Sequence, residues 1–530
     1  MNKNIFKKQI LLVPLIVPSV SIAHCFAQTR PNVVLIVADD MGWNDVSYHG
    51  SEIKTPTIDR LAKEGVELNR FYAHPTCSPS RSALMTGKAP LRLGILTPLA
   101  KNNELGLPLS ETTMAEYFKN NGYQTSLIGK WHLGRFKKEY WPTHRGFDHF
   151  YGYLTGGVGH YDHVHGGGLD WQQKGKTLRK EGYSTHLLST EAIEVIETRH
   201  QKQPFFLELC FAAPHLPNEA PDSSVAKYKH LPNKNRQLHA AMVSEVDYAI
   251  QKIYKTLEKE GLLENTIIWF FSDNGGLNES AYPDSYTQPI EKLTKFWGTP
   301  LPIDFFEFVR INIKNAAADN SPFKAGKGST YEGGVRVPSF IYAPQYLKQK
   351  IIDERITIND VLPSLAAAIG FKNFKATDLD GVNQWAYLSG KADYISTDYV
   401  VHGMYGSEAY YQDNWKLVVN TDEAPELYNL QDDPTETTNV AANYSAIVAQ
   451  LSEKLKAFPR GKSIHESLLK TALDMDSFGG KEDRMPWAGV EGKNAGPLHP
   501  IYIIVPTFLL GIVGIVWYRI RRKKVKKFKS

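Results

Sequence analysis

Four continuous apolar runs, each ending in polar residues, dominate the pattern of hydrophobic and polar positions along the chain. The runs cover residues 32–38, 124–128, 205–213 and 265–272. Uninterrupted runs of this length are typical of strands buried on both faces of a parallel sheet. Helix-like segments lie between or beside them, at residues 56–64, 112–121, 185–197 and 235–260. This alternation of strands and helices predicts a doubly wound α/β domain.

Both ends of the chain carry an apolar run beside basic residues. Residues 1–27 combine three lysines with an apolar stretch and then small residues, which predicts a signal peptide; an uncleaved anchor is the alternative. Residues 501–518 are uncharged and long enough to span a membrane, and the basic residues 519–530 follow at once. By the positive-inside rule we expect a transmembrane helix with a cytoplasmic tail and a periplasmic or extracellular body, anchored to the membrane. The polar, glycine-rich residues 461–500 predict a stalk.

Composition and charge are those of an ordinary globular protein. The chain has 530 residues, of which 42% are hydrophobic and 22% charged, so it can form a large core and more than one domain. The eleven lysines and arginines at the two ends convert a net charge of −6 in the body into +5 overall, so the charge gives no support to a nucleic-acid partner. The three cysteines, Cys25, Cys77 and Cys210, are too few for a disulfide framework.

The stretch around Cys77 places a thiol at the start of a short predicted helix. Pro79 suits the first turn of that helix, and Gly87 suits its end. Backbone N–H groups at a helix N-terminus favour an anion, and Arg81 lies one turn further along the same side. Cys77 is therefore a candidate nucleophile beside an anion-binding site. The alternative is a buried structural cysteine, which is the commoner case.

Acidic and amide residues follow two of the apolar runs. Asp39 and Asp40 come directly after the first run, and Asp273 and Asn274 come directly after the last. If the strands are parallel, their carboxyl ends share one edge of the sheet, where ligands bind in α/β folds. Three carboxylates and an amide offer hard oxygen ligands, which suit Ca²⁺ or Mg²⁺. Solvated loop residues are the alternative.

The stretch around Cys77 also resembles a known signature. Its sequence Cys77-Ser78-Pro79-Ser80-Arg81 is similar to the Cys-x-Pro-Ser-Arg motif of type I (formylglycine-dependent) sulfatases. Further motifs follow in the family's order, namely the Lys-x-His pair at Lys130 and His132, the second active-site histidine at His215 and the last active-site lysine at Lys327. Within the family the resemblance is closest to the arylsulfatase B group, the N-acetylgalactosamine-4-sulfatases. It covers most of residues 30–440.

This resemblance implies a fold, an activity and two cofactors. The implied fold is an alkaline-phosphatase-like α/β/α sandwich over residues 28–400, followed by a smaller antiparallel-sheet domain over residues 401–460. The implied activity is hydrolysis of sulfate monoesters on a sulfated carbohydrate such as N-acetylgalactosamine-4-sulfate. In the family, a maturation enzyme (formylglycine-generating or equivalent) oxidises the cysteine, here Cys77, to formylglycine, whose hydrate attacks sulfur. The family's usual ion is Ca²⁺, with Mg²⁺ as the alternative.

The resemblance further implies roles for single residues. The implied metal ligands are Asp39, Asp40, Cys77, Asp273 and Asn274. Arg81 would hold the hydrate, and Lys130 would join the metal in stabilising the sulfate oxygens. His215 and Lys327 would bind the ester as candidate acids for the leaving oxygen. His132 would deprotonate the second hydroxyl of the hydrate so that sulfate is released.

The sequence leaves two alternative functions possible, and it does not decide the roles of two segments. The first alternative function is a phosphate or phosphonate monoester hydrolase of the same superfamily, and the second is an inactive sulfated-glycan-binding surface protein. The insertion at residues 277–323 is either a substrate-shaping lid or a packing insertion. The glycine-rich loop with His160, His163 and His165 fits pocket lining, a plain surface loop or a zinc site.

Overall fold

A large mixed sheet forms the centre of the protein in the computed structural model. The structure describes residues 30–100, 103–165, 168–278 and 316–465. The strands of this part of the chain are β1 (Asn32–Ala38), β2 (Val66–Leu68), β3 (Phe71–Tyr72), β4 (Gln124–Lys130), β5 (His149–Tyr153), β6 (Val164–His165), β7 (Gly168–Leu169), β8 (Gln172–Gln173), β9 (Lys176–Thr177), β10 (Phe205–Cys210), β11 (Thr266–Ser272), β12 (Ser339–Tyr342), β13 (Lys350–Ile352), β14 (Ile356–Thr357), β15 (Tyr399–His402), β16 (Glu408–Gln412), β17 (Trp415–Val419) and β18 (Glu426–Asn429). The large sheet has the order β13-β2-β12-β11-β1-β10-β4-β5-β8-β9.

The centre of this sheet is parallel, as the apolar runs predict. Strands β11, β1, β10, β4 and β5 are neighbours in that order, and each pair is parallel. Every residue of β1, β10 and β11 is buried, because helices cover both sides of these strands. The run at 205–213 is longer than its strand. Residues 211–213 stay buried but leave the sheet after Cys210.

Helices pack on both faces of the sheet, joined in places by short 3-10 turns. They are α1 (Pro56–Glu64), α2 (Cys77–Thr86), α3 (Pro90–Leu93), α4 (Met114–Asn120), α5 (Ser184–Thr198), α6 (Asp222–Val225), α7 (Lys234–Lys259), α8 (Glu332–Val335), α9 (Val361–Ile369), α10 (Trp385–Leu388) and α11 (Ser445–Ala457). Residues of α2, α4 and α9 share one apolar core with alternate residues of β1, and residues of α1, α5 and α7 share the other. Helix α1 has the predicted bounds, because Pro56 begins it and Gly65 follows its end.

A second, antiparallel sheet follows in the order β15-β16-β17-β18, and α11 packs against it through Leu451 and Leu455. A buried ion cluster joins this sheet to helix α8. Lys416 of β17 lies 3.1 Å from Glu332 of α8 and 2.6 Å from Glu436. The predicted α/β class and the smaller C-terminal antiparallel sheet are confirmed. The domain boundaries near residues 400 and 460 remain a prediction.

The predicted localisation, a membrane-anchored protein, is corrected here. Among the described residues, no helix is both long enough and apolar enough to cross a membrane. The longest of these helices, α7, has 26 residues, but lysine, arginine, glutamate and aspartate side chains occur along its length. The predicted signal peptide at 1–27, the stalk beyond residue 465, the transmembrane helix at 501–518 and the tail at 519–530 lie outside the described residues.

Glu208 places a carboxyl group inside the otherwise apolar strand β10. The residue is 3% exposed, and its Oε1 atom accepts a hydrogen bond from the Cys210 thiol at 3.5 Å. Its Oε2 atom has no hydrogen-bond partner within the described part of the chain. Burial raises the pKa of Glu208 to about 7, although the charge of Arg81 opposes the shift. The carboxyl group is therefore expected to affect stability as it ionises.

Replacement of Glu208 by glutamine is expected to stabilise the protein at pH 8 but not at pH 5. The pKa of Glu208 is higher in the folded chain than in the unfolded chain, so the wild type loses stability as pH rises through this window, whereas the neutral amide does not. The advantage of Glu208→Gln in free energy of unfolding should grow by up to roughly 3 kcal/mol between the two pH values. Urea unfolding across this range measures it. A difference that does not change with pH would contradict the raised pKa.

Candidate active site

The carboxyl ends of β1 and β11 bring the two predicted polar pairs side by side. The strands pair in parallel with Ala38 opposite Ser272, so the residues that follow them emerge at the same edge of the sheet. Asp40 has a left-handed backbone conformation, with φ of 66°, and its N–H donates to Asp273 Oδ1 at 3.3 Å. The four residues that are buried at this edge are Asp39, Asp40, Asp273 and Asn274.

Each carboxylate at this edge pairs with one basic side chain. The pairs are Asp39–Lys130 at 2.7 Å, Asp40–Lys327 at 2.7 Å and Asp273–Arg81 at 2.8 Å. The guanidinium is fixed most firmly, because it donates two N–H groups to Asp273 Oδ2 and a third to the carbonyl oxygen of Lys130. The three negative and three positive charges balance. A bound divalent cation would therefore give the site a positive net charge.

Burial and these pairs shift the acidity of the carboxylates in opposite directions. Burial raises the pKa of Asp39 to about 7, even though Lys130 opposes the shift. Burial also favours the neutral form of Asp40, but the charges of Lys327 and His215 hold its pKa well below the usual range.

Cys77 begins helix α2 directly beside these carboxylates. Thr76 before it is extended, with φ of −148°, and its carbonyl accepts the first helical bond from Ser80 N–H. Gly87, with φ of 67°, ends the helix as predicted. The Cys77 Sγ atom lies 3.6 Å from Asp39 Oδ1. Burial raises the pKa of the thiol to about 12 although Lys130 opposes it, so the group stays a neutral thiol at neutral pH.

Asn274 and the acids around it fit a metal ion. One ligand atom from each of Asp39, Asp40, Cys77 and Asp273 can be chosen so that all four lie within 4.8 Å of one another. The Asn274 amide donates to Asp40 Oδ1 at 2.8 Å, yet its buried Oδ1 atom has no hydrogen-bond partner among the described residues. A buried carbonyl oxygen without a partner is costly unless a cation or donor compensates it. Hard oxygen ligands of this kind suit Ca²⁺ or Mg²⁺.

The two predicted histidines lie at the same edge, each with one ring nitrogen held by a carbonyl group. His132 follows β4 with φ of 59°, and its Nε2 atom lies 3.1 Å from the carbonyl oxygen of Leu99. His215 holds its Nδ1 atom 2.7 Å from the carbonyl oxygen of Leu216, while its Nε2 atom lies 3.6 Å from Asp40 Oδ2. Burial lowers the pKa of His215 well below its usual value, although Asp40 opposes the shift.

Ser78 connects His132 to the helix of Cys77, a role that the sequence did not reveal. Its hydroxyl donates to the carbonyl oxygen of His132 at 2.9 Å and accepts from the N–H of Leu99 at 3.0 Å. Ser78 fills the variable position of the signature, so residue type alone gave no signal. The structure thus connects all the predicted site residues, with His132 joined through its backbone.

The two ends of the 277–323 insertion are fixed close to the predicted metal ligands. Asn320 holds Gly276 in a reciprocal pair of bonds, at 2.7 Å from its Oδ1 atom and 2.9 Å from its Nδ2 atom. Asp319 accepts from Asn44 at 2.7 Å. Residues 279–315, on which the choice between lid and packing insertion depends, lie outside the described chain.

Comparison with known proteins indicates the family of this chain. The profile of the sulfatase family matches residues 31–371. Arylsulfatase J of Mus musculus is 34% identical over 372 residues, which cover 68% of this chain and 56% of that protein, little more than half its length. N-acetylgalactosamine-6-sulfatase of Mus musculus is 30% identical, over 71% of this chain and 69% of the relative.

A solved structure extends the similarity beyond the profile. The crystal structure of Ps i-CgsB in complex with k-i-k-neocarrahexaose has a TM-score of 0.72 and 29% identity, and the match covers 85% of this chain and 100% of that one. The family prediction is confirmed by these matches, whereas the closer resemblance to the arylsulfatase B group stays a prediction. The chain belongs to the sulfatase family.

Proposed function

We propose that this chain hydrolyses sulfate monoesters of a sulfated carbohydrate at the edge of the sheet that carries Cys77. The observation that supports this most strongly is the cluster of three carboxylate–cation pairs around Cys77 beside the unpaired amide oxygen of Asn274. With a divalent cation bound, the cluster would be positive and enclosed, which suits an anionic ester.

Two groups absent from the chain itself would complete the site. Ca²⁺, with Mg²⁺ as the alternative, would be held by Asp39, Asp40, Asp273 and Asn274, with residue 77 as the fifth ligand, and would supply positive charge to the sulfate oxygens. Oxidation of Cys77 to formylglycine by a maturation enzyme would supply, as the hydrate, a hydroxyl nucleophile and a second hydroxyl for release of sulfate. The neutral thiol of Cys77, with its pKa near 12, is a poor nucleophile, which favours this precursor role.

The basic side chains would bind and orient the ester. Lys130 is fully buried, and its pKa is raised by Asp39 against the effect of burial, so its ammonium group is charged where the sulfate would bind. Lys327, which is paired with Asp40, would offer a second ammonium group to the ester. Arg81, fixed by Asp273 and the Lys130 carbonyl, would hold the side chain of residue 77 one helical turn before it.

The histidines would hold and move protons at defined atoms. His132 donates from Nε2 to the Leu99 carbonyl, so Nδ1 is the nitrogen that can accept a proton during turnover. His215 donates from Nδ1 to the Leu216 carbonyl, so Nε2 is the nitrogen that must take up a proton before His215 can act as an acid toward the leaving oxygen. Burial disfavours the protonated ring, whereas the charge of Asp40 beside Nε2 favours it. Lys327 is the second candidate for that acid role.

The names of the relatives support a carbohydrate as substrate. One is an N-acetylgalactosamine-6-sulfatase, and the solved structure of another holds a neocarrahexaose. We propose a panel of sulfated glycan fragments that begins with N-acetylgalactosamine-4-sulfate, which the resemblance implies, and continues with N-acetylgalactosamine-6-sulfate, which the name of the relative suggests.

Turnover of a sulfate ester and a phosphate ester of the same phenol decides between the two hydrolase functions. We expect a higher kcat/KM for 4-nitrophenyl sulfate than for 4-nitrophenyl phosphate. The reason is that the motif set, including His215 and Lys327, resembles that of sulfatases, and the similar proteins are sulfatases by name. Faster turnover of the phosphate ester would reject the sulfatase assignment. Absence of turnover of both, with Cys77 unmodified, would favour a glycan-binding protein.

A further inference from the structure

The glycine–histidine loop, residues 156–163, lies against both active-site histidines. We propose that this loop is a brace for the catalytic imidazoles and that His160 is a positioning residue for His215. The inference rests on the proposed function, because it assigns His215 to the leaving-group side of the same site. It also replaces the zinc-site and surface-loop interpretations of His160.

The two glycines of the loop each face one histidine ring. A Cβ atom placed on Gly156 would lie 2.7 Å from Cε1 of His132, and one on Gly157 would lie 2.9 Å from Cε1 of His215. Both distances are shorter than real Cβ contacts, so a side chain at either position would push the ring aside. Consecutive residues of one loop thus determine how closely the backbone approaches both rings.

The imidazole of His160 contacts the backbone of His215. It is fully buried, and its Nε2 atom lies 2.9 Å from the carbonyl oxygen of His215. Its Nδ1 atom lies 2.7 Å from Ser184 Oγ. A carbonyl oxygen can only accept, so Nε2 carries the proton and Nδ1 accepts from the Ser184 hydroxyl. Both ring nitrogens are therefore engaged, and neither is left for a metal ion.

Hydrogen bonds and ring stacking hold His160 itself in place. The backbone N–H of His160 donates to Glu219 Oε2 at 2.8 Å, and its carbonyl oxygen accepts from the backbone N–H of Ser184 at 2.8 Å. Tyr183 stacks on the imidazole of His160 with 5.6 Å between ring centroids and donates its hydroxyl to the Glu219 carbonyl. A neutral, doubly bonded imidazole in such a setting fixes the carbonyl group of residue 215, and with it the direction of the His215 ring.

Kinetics on a series of phenyl sulfates test the brace. His160→Phe keeps a planar buried ring without the hydrogen bond, whereas His160→Gln can still donate to the His215 carbonyl and accept from Ser184. We expect His160→Phe to lower kcat by roughly ten- to a hundredfold with little change in KM. The loss should grow from nitro-substituted phenols to unsubstituted phenol, because a poorer leaving group depends more on a well-placed acid. His160→Gln should recover most of the activity.

Equal losses for all phenols, or equal losses for Phe and Gln, would overturn the brace. If His160→Phe does not fold, Gly157→Ala decides in its place, with Gly390→Ala as the control. Gly390 is exposed after helix α10, and a Cβ placed on it would meet no atom within 4 Å. We expect Gly157→Ala to reproduce the leaving-group-dependent loss and Gly390→Ala to match the turnover of the wild type. Wild-type protein inactive on every phenyl sulfate and on every sulfated glycan fragment of the panel would instead reject the proposed function, and the brace with it.

Discussion

Replacement of Cys77 by alanine is expected to lower kcat for sulfate esters by roughly four to six orders of magnitude, since it removes the side chain that supplies the attacking oxygen. The substitution deletes one buried atom, the sulfur that lies 3.6 Å from Asp39 Oδ1. The charge pairs around it do not involve the thiol, so the melting temperature should change by only a few degrees. Steady-state turnover of 4-nitrophenyl sulfate, with a thermal unfolding curve, measures both effects.

Cys210 provides the matched control for this experiment. It is also fully buried, but it lies on β10, where its thiol donates to Glu208. Cys210→Ala should retain most of the wild-type turnover, because neither residue 77 nor the proposed metal ligands change. A Cys77→Ala protein that keeps turnover within about tenfold of wild type would contradict the role of residue 77, since loss of a nucleophile costs far more than this.

The second large effect is expected for Asp273→Asn. This substitution keeps the shape of the side chain but removes the charge that partners Arg81, whose guanidinium is only 2% exposed. An unpaired buried charge costs about 3–5 kcal/mol of unfolding free energy, and turnover should be lost as well. Asp273 is also a proposed metal ligand, so the stabilisation by Ca²⁺ should shrink. For the wild type that gain is about 2.7 kcal/mol at a hundred times the dissociation constant.

Urea unfolding with and without Ca²⁺ measures both consequences. Glu453→Gln is the control, because Glu453 is exposed and pairs only loosely with Lys456, at 3.9 Å. It should behave as the wild type in both conditions. An Asp273→Asn protein with wild-type stability and an unchanged response to Ca²⁺ would show that this carboxylate neither anchors Arg81 nor binds the metal.

The sequence predicted the bounds of elements that have a clear signal, either an uninterrupted apolar run or a proline and a glycine at the two ends. Strand β1 and helix α1 have their predicted bounds, the first because its run is uninterrupted and the second because proline and glycine mark its ends. The apolar run at 205–213 is longer than the observed strand, because apolar composition indicates that residues are buried and not that they pair with a neighbouring strand. Residues 211–213 are buried beneath the site without being part of β10.

The proximity of the two polar pairs could be predicted because it follows from the topology of the sheet, whereas their role as metal ligands comes from the resemblance and stays a prediction. The carboxyl ends of parallel neighbours meet at one edge, so Asp39 and Asp273 had to be close once β1 and β11 paired. The contacts of Gly156 and Gly157 with the histidine rings could not be predicted in this way, because a glycine offers no side chain to signal its role. The single hydroxyl of Ser78, bonded to two backbone groups, likewise became visible only in the folded chain.

The mass of the peptide that contains Cys77, isolated from protein made in its native host, tests the central claim most directly. The proposed mechanism predicts that active protein carries an aldehyde, formylglycine, in place of the thiol, and that the peptide reacts with an aldehyde-specific hydrazide. The arrangement around Cys77, with a neutral buried thiol beside three carboxylate–cation pairs, is then that of a precursor. Catalytically active protein whose Cys77 peptide has the mass of an unmodified thiol would contradict the account.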